Sequence, residues 1–311
     1  MHAMVLSAGV GTRLRPLTDV RAKPAIPVAG VPMIRRILSW LATHGVHDVV
    51  LNLHHRPESI AAVVGDGSDL GVRVRYSWEQ PIVLGAAGGP RVALPILNAD
   101  TFLLINGDVL TEVDLGEMMR SHQASGARVT LALVPNREPD RYSGVRLASD
   151  GRVTGFAPRG EASSYHFVGP QVVQAAVFEP LAAGQPARSI GGVYDELIAR
   201  QPGAVRGYVS DVPYWDVGTV KDYWATWWAF ETGSGVVFPS SGTKSTPDPF
   251  SNARVSHSIV WDDVQIGDEA EVAECIVTDG VKIQRGAQYR RAILLRDSNG
   301  GIRQEPLSPF P

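Results

Sequence analysis

The chain has 311 residues, 44% of them apolar and 20% charged, with a formal net charge of -3. That length buries a substantial core as one large domain or as a main domain with an appendage, and the slight acidity gives no field for nucleic acid or an anionic membrane surface. Cys275 is the only cysteine, which excludes an intrachain disulfide and reads as a small core residue, while no apolar run reaches membrane-spanning length and no charged leader precedes the first strand. A cytoplasmic chain with neither nucleic-acid nor membrane partners is expected.

Ala3-Met4-Val5-Leu6 reads as a buried first strand, and behind it Gly9 and Gly11 let the backbone turn tightly and approach a ligand. Amides freed in such a loop bind anions. Arg13 adds a planar cation suited to phosphate oxygens, and Lys23, just before Pro24, adds a compact one. A dinucleotide fingerprint would need a third glycine where Leu14 stands, and a P-loop would need a Gly-Lys-Ser/Thr that does not follow. What remains is a cradle for a polyphosphate.

Between Pro32 and Thr43, Ile34, Ile37, Leu38 and Leu41 recur at helical spacing, and Gly45 ends the segment before the strand-like Val49-Val50-Leu51. A helix near Pro57 to Val64 and strands at Val72 to Tyr76 and Phe102 to Ile105 follow. This alternation predicts an α/β fold: a Rossmann-like mixed, mainly parallel sheet with helices on both faces. The last strand runs into Asn106-Gly107-Asp108, placing a carboxylate at the carboxyl edge where open α/β sheets bind ligands. Leu84 to Gly89, between two predicted strands, is a second place where backbone can approach a flat ligand, with Glu79 or Gln80 close in sequence to hydrogen-bond it.

From Val129 the pieces shorten, at Val129 to Val134, Gly144 to Leu147, Val153 to Phe156 and around Phe167-Val168-Gly169, as an insertion forming the second wall of a cleft. Helical pattern resumes from Val193 to Arg200. Tyr208-Val209-Ser210 then leads to Trp215-Asp216-Val217-Gly218-Thr219 and a helix from Lys221 through Phe230, closing a catalytic domain of residues 1–232. Trp224, Trp227 and Trp228 read as core or an oligomer surface, and the adjacent His54 and His55 point apart in a strand, which disfavours a metal site.

Residues 233–252, rich in Gly, Ser, Thr and Pro, read as a linker. In 253–311 the period becomes six, with Val260, Ile266 and Val272 in one row and Val264, Ala270 and Ile276 in another. The rows continue as Ile283, Tyr289 and Leu295 and as Val281, Ala287 and Ile293 after a single slip between Val272 and Ile283. That period suits a short left-handed parallel β-helix of about two coils. So short a stack needs a cap or a partner, and a homo-oligomer through this region is expected.

The run Leu6 to Thr18 with Lys23-Pro24 resembles the signature of nucleoside-triphosphate:sugar-1-phosphate nucleotidyltransferases, over roughly Met1 to Phe230. The resemblance implies that a nucleoside triphosphate and a sugar-1-phosphate are the partners, joined with release of pyrophosphate. It places Arg13, Lys23 and Asp108 in catalysis, and Asp108 with Asp216 as ligands of a magnesium cofactor. Leu6, Ala8, Gly9, Gly11, Thr12, Arg13, Glu79, Gly85 and Gly88 would contact the nucleotide, the last two through Leu-Gly-Ala-Ala-Gly, where Ala86 replaces the family's threonine. Gly144, in Tyr142-Ser143-Gly144-Val145, and Gly169 would contact the sugar phosphate.

One segment departs: the family's Phe-x-Glu-Lys-Pro stands here as Phe156-Ala157-Pro158-Arg159-Gly160. Arg159 replaces lysine as a phosphate-binding cation, whereas Pro158 cannot replace a carboxylate that hydrogen-bonds sugar hydroxyls. Leu-Gly-Ala-Ala-Gly leans toward mannose-1-phosphate guanylyltransferases. Gly65-Asp66-Gly67-Ser68 and Tyr165 to Gly169 look more like uridylyltransferases acting on N-acetylmuramate phosphate, and heptose-1-phosphate guanylyltransferases are a further alternative. Outside enzymes, the altered segment suits a non-catalytic regulatory subunit that binds nucleotide sugars.

Overall fold

The computed structural model describes residues 1–232 and 252–308, so the expected linker lies, Asn252 apart, outside the described residues. In chain order the elements are β1 (His2–Leu6), β2 (Pro27–Val28), β3 (Val31–Pro32), α1 (Met33–Thr43), β4 (Asp48–Leu53), α2 (Pro57–Val64), β5 (Arg73–Trp78), α3 (Gly85–Leu97), β6 (Thr101–Asn106) and β7 (Val109–Thr111). Then come α4 (Leu115–Ser125), β8 (Val129–Pro135), β9 (Gly144–Leu147), β10 (Val153–Ala157), β11 (Tyr165–Gln174), α5 (Tyr194–Arg200), β12 (Val205–Val209), β13 (Tyr214–Asp216) and α6 (Val220–Glu231). Two compact units result: Met1–Gly11, Ala22–Ala25 and Met33–Gly218 form one, while Thr12–Arg21, Ile26–Pro32 and Thr219 onward form the other.

In the first unit, β5-β4-β1-β6 run parallel, with Ala3, Met4 and Val5 of β1 fully buried at the centre. Helix α1 turns Ile34, Ile37, Leu38 and Leu41 inward at their helical spacing and is followed by Gly45 at φ +72°. Asp114 caps α4 by accepting the Glu117 amide at 2.8 Å, a bond worth about 1 kcal/mol. The pieces from residue 129 onward do not form a sheet of their own. Strand β11 pairs antiparallel with β6 and β8, and β9, β10 and β12 join through it and β8, so these pieces extend the main sheet. The cause is burial: Val168 to Val173 of β11 are buried without interruption, as a strand inside a covered sheet must be.

Sequence patterning also passes over α3, which begins within the glycine-rich Leu84 to Gly89 segment. Its glycines and its two prolines, Pro90 and Pro95, argue against a helix by propensity, yet burying Ala87, Pro90, Ala93 and Leu97 outweighs that cost.

In the second unit the chain forms the short left-handed parallel β-helix. The first coil carries β14 (Arg254–Ser256), β15 (Ile259–Val260) and β16 (Gln265–Ile266), the second β17 (Glu271–Ala273), β18 (Ile276–Val277) and β19 (Lys282–Ile283), and the third begins with β20 (Gln288–Arg290) and β21 (Ala292–Arg296). Like strands pair in parallel one coil apart. Arg254 and its neighbour in the next coil, Glu271, are 17 residues apart, one short of three hexads. The single phase slip expected from sequence is therefore a five-residue side that recurs in every coil. Val272, Val277, Ile283 and Leu294 share the interior with Ala270, Cys275, Val281 and Ala292. Ile276 and Leu295, although buried, lie outside this cluster, in which Cys275 takes a small-residue position. A final antiparallel strand, β22 (Ile302–Pro306), pairs with β21 and caps the stack with a charged, proline-ended edge.

Candidate active site

The carboxyl ends of the parallel strands gather the first cluster of polar groups. Lys23, 8% exposed, places its Nζ 2.5 Å from Asp108 Oδ2, directly after β6. Gly107 makes that turn possible: its amide donates to the Leu6 carbonyl at 3.0 Å, and a Cβ there would lie 2.4 Å from the same oxygen. Asp216 ends β13 opposite Val109 of β7, and the Val217 amide donates to the Asp108 carbonyl at 3.1 Å. Gly169, at φ +104°, fits a Cα against the side chains of Asn106 and Val109. Lys23, Asp108, Asp216 and Gly169 are thus assembled by one turn and the strands that meet it. Among the described residues no three His, Cys, Asp or Glu side chains cluster as a metal site.

The glycine loop leaves β1 through a buried network that the sequence reading passed over. Ser7 donates its amide to Asn52 Oδ1 at 2.6 Å and its hydroxyl to the Asn52 carbonyl at 2.5 Å. Asn52 Nδ2 donates to Glu79 Oε1 at 2.6 Å, and Glu79 Oε2 accepts the Leu84 amide at 2.6 Å. Glu79 is 1% exposed with both oxygens engaged, so it is a structural anchor and not the base-reading side chain proposed from sequence. Its neighbour Gln80, on the opposite side of the extended chain, is exposed. An asparagine closing the apolar run Val49-Val50-Leu51 was the available signal for this network.

The glycines divide by what they do. Gly88 is buried, a Cβ on it would meet the Gln185 carbonyl at 2.5 Å, and the Ala87 and Gly88 amides point at the Ala187 carbonyl. Its assignment to nucleotide contact therefore gives way to a packing role. Gly85 is exposed, but it too is shaped by Ala187, whose carbonyl would lie 2.8 Å from a Cβ. Gly9 differs. It is exposed, has no atom within 4 Å of a Cβ, and does not use the left-handed region, so the fold does not require glycine there. Gly9→Ala should leave the melting temperature within about 2 °C while lowering kcat/KM for the nucleotide at least about tenfold, because a methyl would obstruct close backbone approach. Melting and steady-state curves on one preparation check this; unchanged kinetics would return Gly9 to an ordinary loop role. Leu6 and Ala8 flank the network on this loop, and Gly11 turns it at φ +65°. Thr12 and Arg13 are exposed and belong to the second unit.

The residues expected at the sugar phosphate are separated by their surroundings. Gly144 is buried, and a Cβ on it would sit 2.3 Å from Ser164 Oγ, so its lack of a side chain is needed for packing. Arg159 is exposed on the turn after β10, which is held by the Gly160 amide donating to the Pro139 carbonyl at 2.9 Å. Beside them lies an aromatic group that sequence reading missed: the His166 ring is 4.1 Å from Tyr142 and 5.1 Å from Tyr214, and Arg141 covers Tyr142 at 4.7 Å. Burial raises the Tyr142 and Tyr214 hydroxyl pKa values, with the Asp216 charge adding to both.

Burial pulls His166 down to about 4 against the pull of a hydrogen bond with the Ser143 backbone. Its folded pKa lies below the ordinary value near 6.5, so its neutral form contributes stability that is complete above about pH 6.5 and is lost as pH falls toward 4. His166→Phe should remove on the order of 1–2 kcal/mol of the stability lost between pH 7 and pH 5, a figure discounted for partial exposure. Urea midpoints at both pH values test it; parallel losses in the two proteins would reject it.

Two family descriptions match the chain. The family described as "Nucleotidyl transferase" matches residues 2–231, and "GlmU-like, C-terminal hexapeptide" matches 245–303. The chain is similar to a mannose-1-phosphate guanylyltransferase of Mycobacterium tuberculosis, 30% identical over 94% of this chain and 83% of the relative. It is also similar to an N-acetylmuramate alpha-1-phosphate uridylyltransferase of Neisseria meningitidis, 33% identical over 71% of this chain and 94% of the relative. Among solved structures, HddC from Yersinia pseudotuberculosis, complexed with GMP-PN, shares the fold at a TM-score of 0.64 and 21% identity, over 74% of this chain and 99% of that one.

Proposed function

We propose, from the premise that this chain belongs to the nucleotidyl transferase family and is a sugar-1-phosphate nucleotidyltransferase, that it transfers guanylyl from GTP to mannose 1-phosphate. What supports the choice of substrate is that the likeness to the mannose enzyme combines 30% identity with 94% of the chain, against 33% over 71% for the N-acetylmuramate uridylyltransferase and 28% over 91% for a UTP--glucose-1-phosphate uridylyltransferase.

In this reaction an oxygen of the sugar phosphate forms a bond to the α-phosphorus, and the bond to the bridging oxygen breaks, so pyrophosphate leaves with the electron pair. No strong nucleophile is needed; the barrier lies in bringing two anions together and stabilising charge on the leaving group. Asp108 and Asp216 fit magnesium, which takes oxygen ligands and is commonly held by one or two carboxylates plus substrate phosphates. Bound there, magnesium would supply positive charge to the phosphates. Arg13 grips triphosphate oxygens, the Gly9 to Gly11 backbone admits them closely, and Gln80 is the side chain placed to read the base. Lys23 balances Asp108 and keeps a fixed cation at the sheet edge. Arg159 supplies a cation for the sugar phosphate, with Gly169 beside the catalytic turn. A homo-oligomer formed through the C-terminal region and a cytoplasmic location complete the reading.

A uridylyltransferase acting on N-acetylmuramate 1-phosphate is the second reading, favoured by the 33% identity of the matched region. Measuring kcat/KM for GTP and UTP, each with mannose, N-acetylmuramate, glucose and heptose 1-phosphates, separates them. The proposal expects the guanosine and mannose pair to lead by at least about tenfold, a margin that hydrogen-bond recognition of a base readily provides. A lead for UTP with N-acetylmuramate 1-phosphate would replace it.

A further inference from the structure

The segment that follows the glycine loop, Thr12–Arg21, belongs by its contacts to the unit containing the β-helix. Its last residue is tied to the β-helix by three side-chain hydrogen bonds. Arg21 donates from Nε to Asp279 Oδ2 at 2.6 Å and from Nη2 to Asp279 Oδ1 at 2.7 Å, a two-pronged pairing, and Nη2 also reaches Asp262 Oδ2 at 2.6 Å. The two aspartates come from successive coils, one coil apart, and the Asp262 amide donates to Asp279 Oδ1 at 3.3 Å. The guanidinium lies 5.5 Å from the Trp261 ring centre, and that indole donates to the Tyr223 hydroxyl of α6 at 2.8 Å. Side-chain exposure is 11% for Arg21 and 27% for Asp279, so water screens the Asp279 pair far less than an ordinary surface bridge.

We infer that Arg21 is a positioning residue: by clamping Thr12–Arg21 to two coils of the β-helix, it fixes the segment that carries Thr12 and Arg13, so that the C-terminal unit controls affinity for the nucleoside triphosphate. Two residues later the same chain reaches Lys23. The rest of the segment is already seated through Leu14 and Leu17, both fully buried, so the ion cluster sets the conformation of a packed piece and does not have to create it. Lysine cannot reproduce the fork that meets both carboxylates. The inference rests on the transferase reading for its kinetic consequence alone.

The test compares wild type with Arg21→Gln, Arg21→Lys and Asp279→Asn, using steady-state kinetics and amide hydrogen exchange on the intact protein. Arg21→Gln and Asp279→Asn should each raise KM for the nucleotide about tenfold with kcat changed less than about threefold, and should speed exchange from Leu14 to Val20; Arg21→Lys should fall between them and wild type. Lower melting temperatures with unchanged KM and unchanged exchange in this segment would overturn the inference. Should wild type release no pyrophosphate with any substrate pair, the transferase reading fails by itself, and exchange alone decides the clamp: faster in both variants supports it, unchanged rejects it.

Discussion

Replacing Asp108 with asparagine is expected to lower turnover about 1,000-fold or more while the protein stays folded. The substitution keeps the shape of the side chain and removes its charge, so Asp108→Asn removes one of the two carboxylates proposed to hold magnesium and deprives Lys23 of its partner at 2.5 Å. Losing charge stabilisation of this kind at a reacting phosphate costs on the order of 4 kcal/mol of barrier. The Lys23 ammonium, left without its carboxylate, adds a stability cost of about 1–2 kcal/mol, limited because Asp108 is one-third exposed. Pyrophosphate release and thermal melting together check this. Turnover within tenfold of wild type would remove Asp108 from the reaction.

The second large effect falls on stability. Glu79→Gln replaces a carboxylate whose two oxygens accept from Asn52 and Leu84 by an amide with one acceptor and one donor group. Either orientation sets an N–H against another N–H in a site 1% exposed, and about 3–5 kcal/mol should be lost. Because Asn52 also holds Ser7 at the start of the glycine loop, KM for the nucleotide should rise as well. Denaturant unfolding measures the first effect. If Glu79 instead read the base, the variant would keep its stability and change its preference between GTP and UTP.

The strand ends that carry the glycine loop, Asp108 and Asp216 were legible because their signals are local. Apolar runs that stop at Gly9, at Asp108 or just before Asp216 reveal strand ends by themselves, and charges at such ends face the ligand edge. Glu79 and Gln80 could not be told apart on that basis. Adjacent residues of an extended chain face opposite ways, and here the choice is set by the pairing of β5 with β4, a relation between distant segments. Gly88 and Gly144 were read as ligand contacts for a related reason: a glycine required by a neighbouring carbonyl or serine looks the same in sequence as one required by a substrate. Gly9 escapes that ambiguity only once the surrounding atoms are known. In the C-terminal unit, the period of six disclosed the fold, whereas the five-residue side repeated in each coil brought Cys275 and Leu294, which plain counting left out of its rows, into the interior cluster. The ion cluster of Arg21 had no local signature, since 258 residues separate it from Asp279.

Phosphorus NMR of a mixture of GTP, mannose 1-phosphate, magnesium and enzyme tests the central claim most directly. The account predicts equal formation of pyrophosphate and a sugar-linked nucleoside diphosphate, dependent on both substrates and lost with Asp108→Asn. Nucleotide binding by wild type with no such product from this or any other triphosphate and sugar-1-phosphate pair would contradict it.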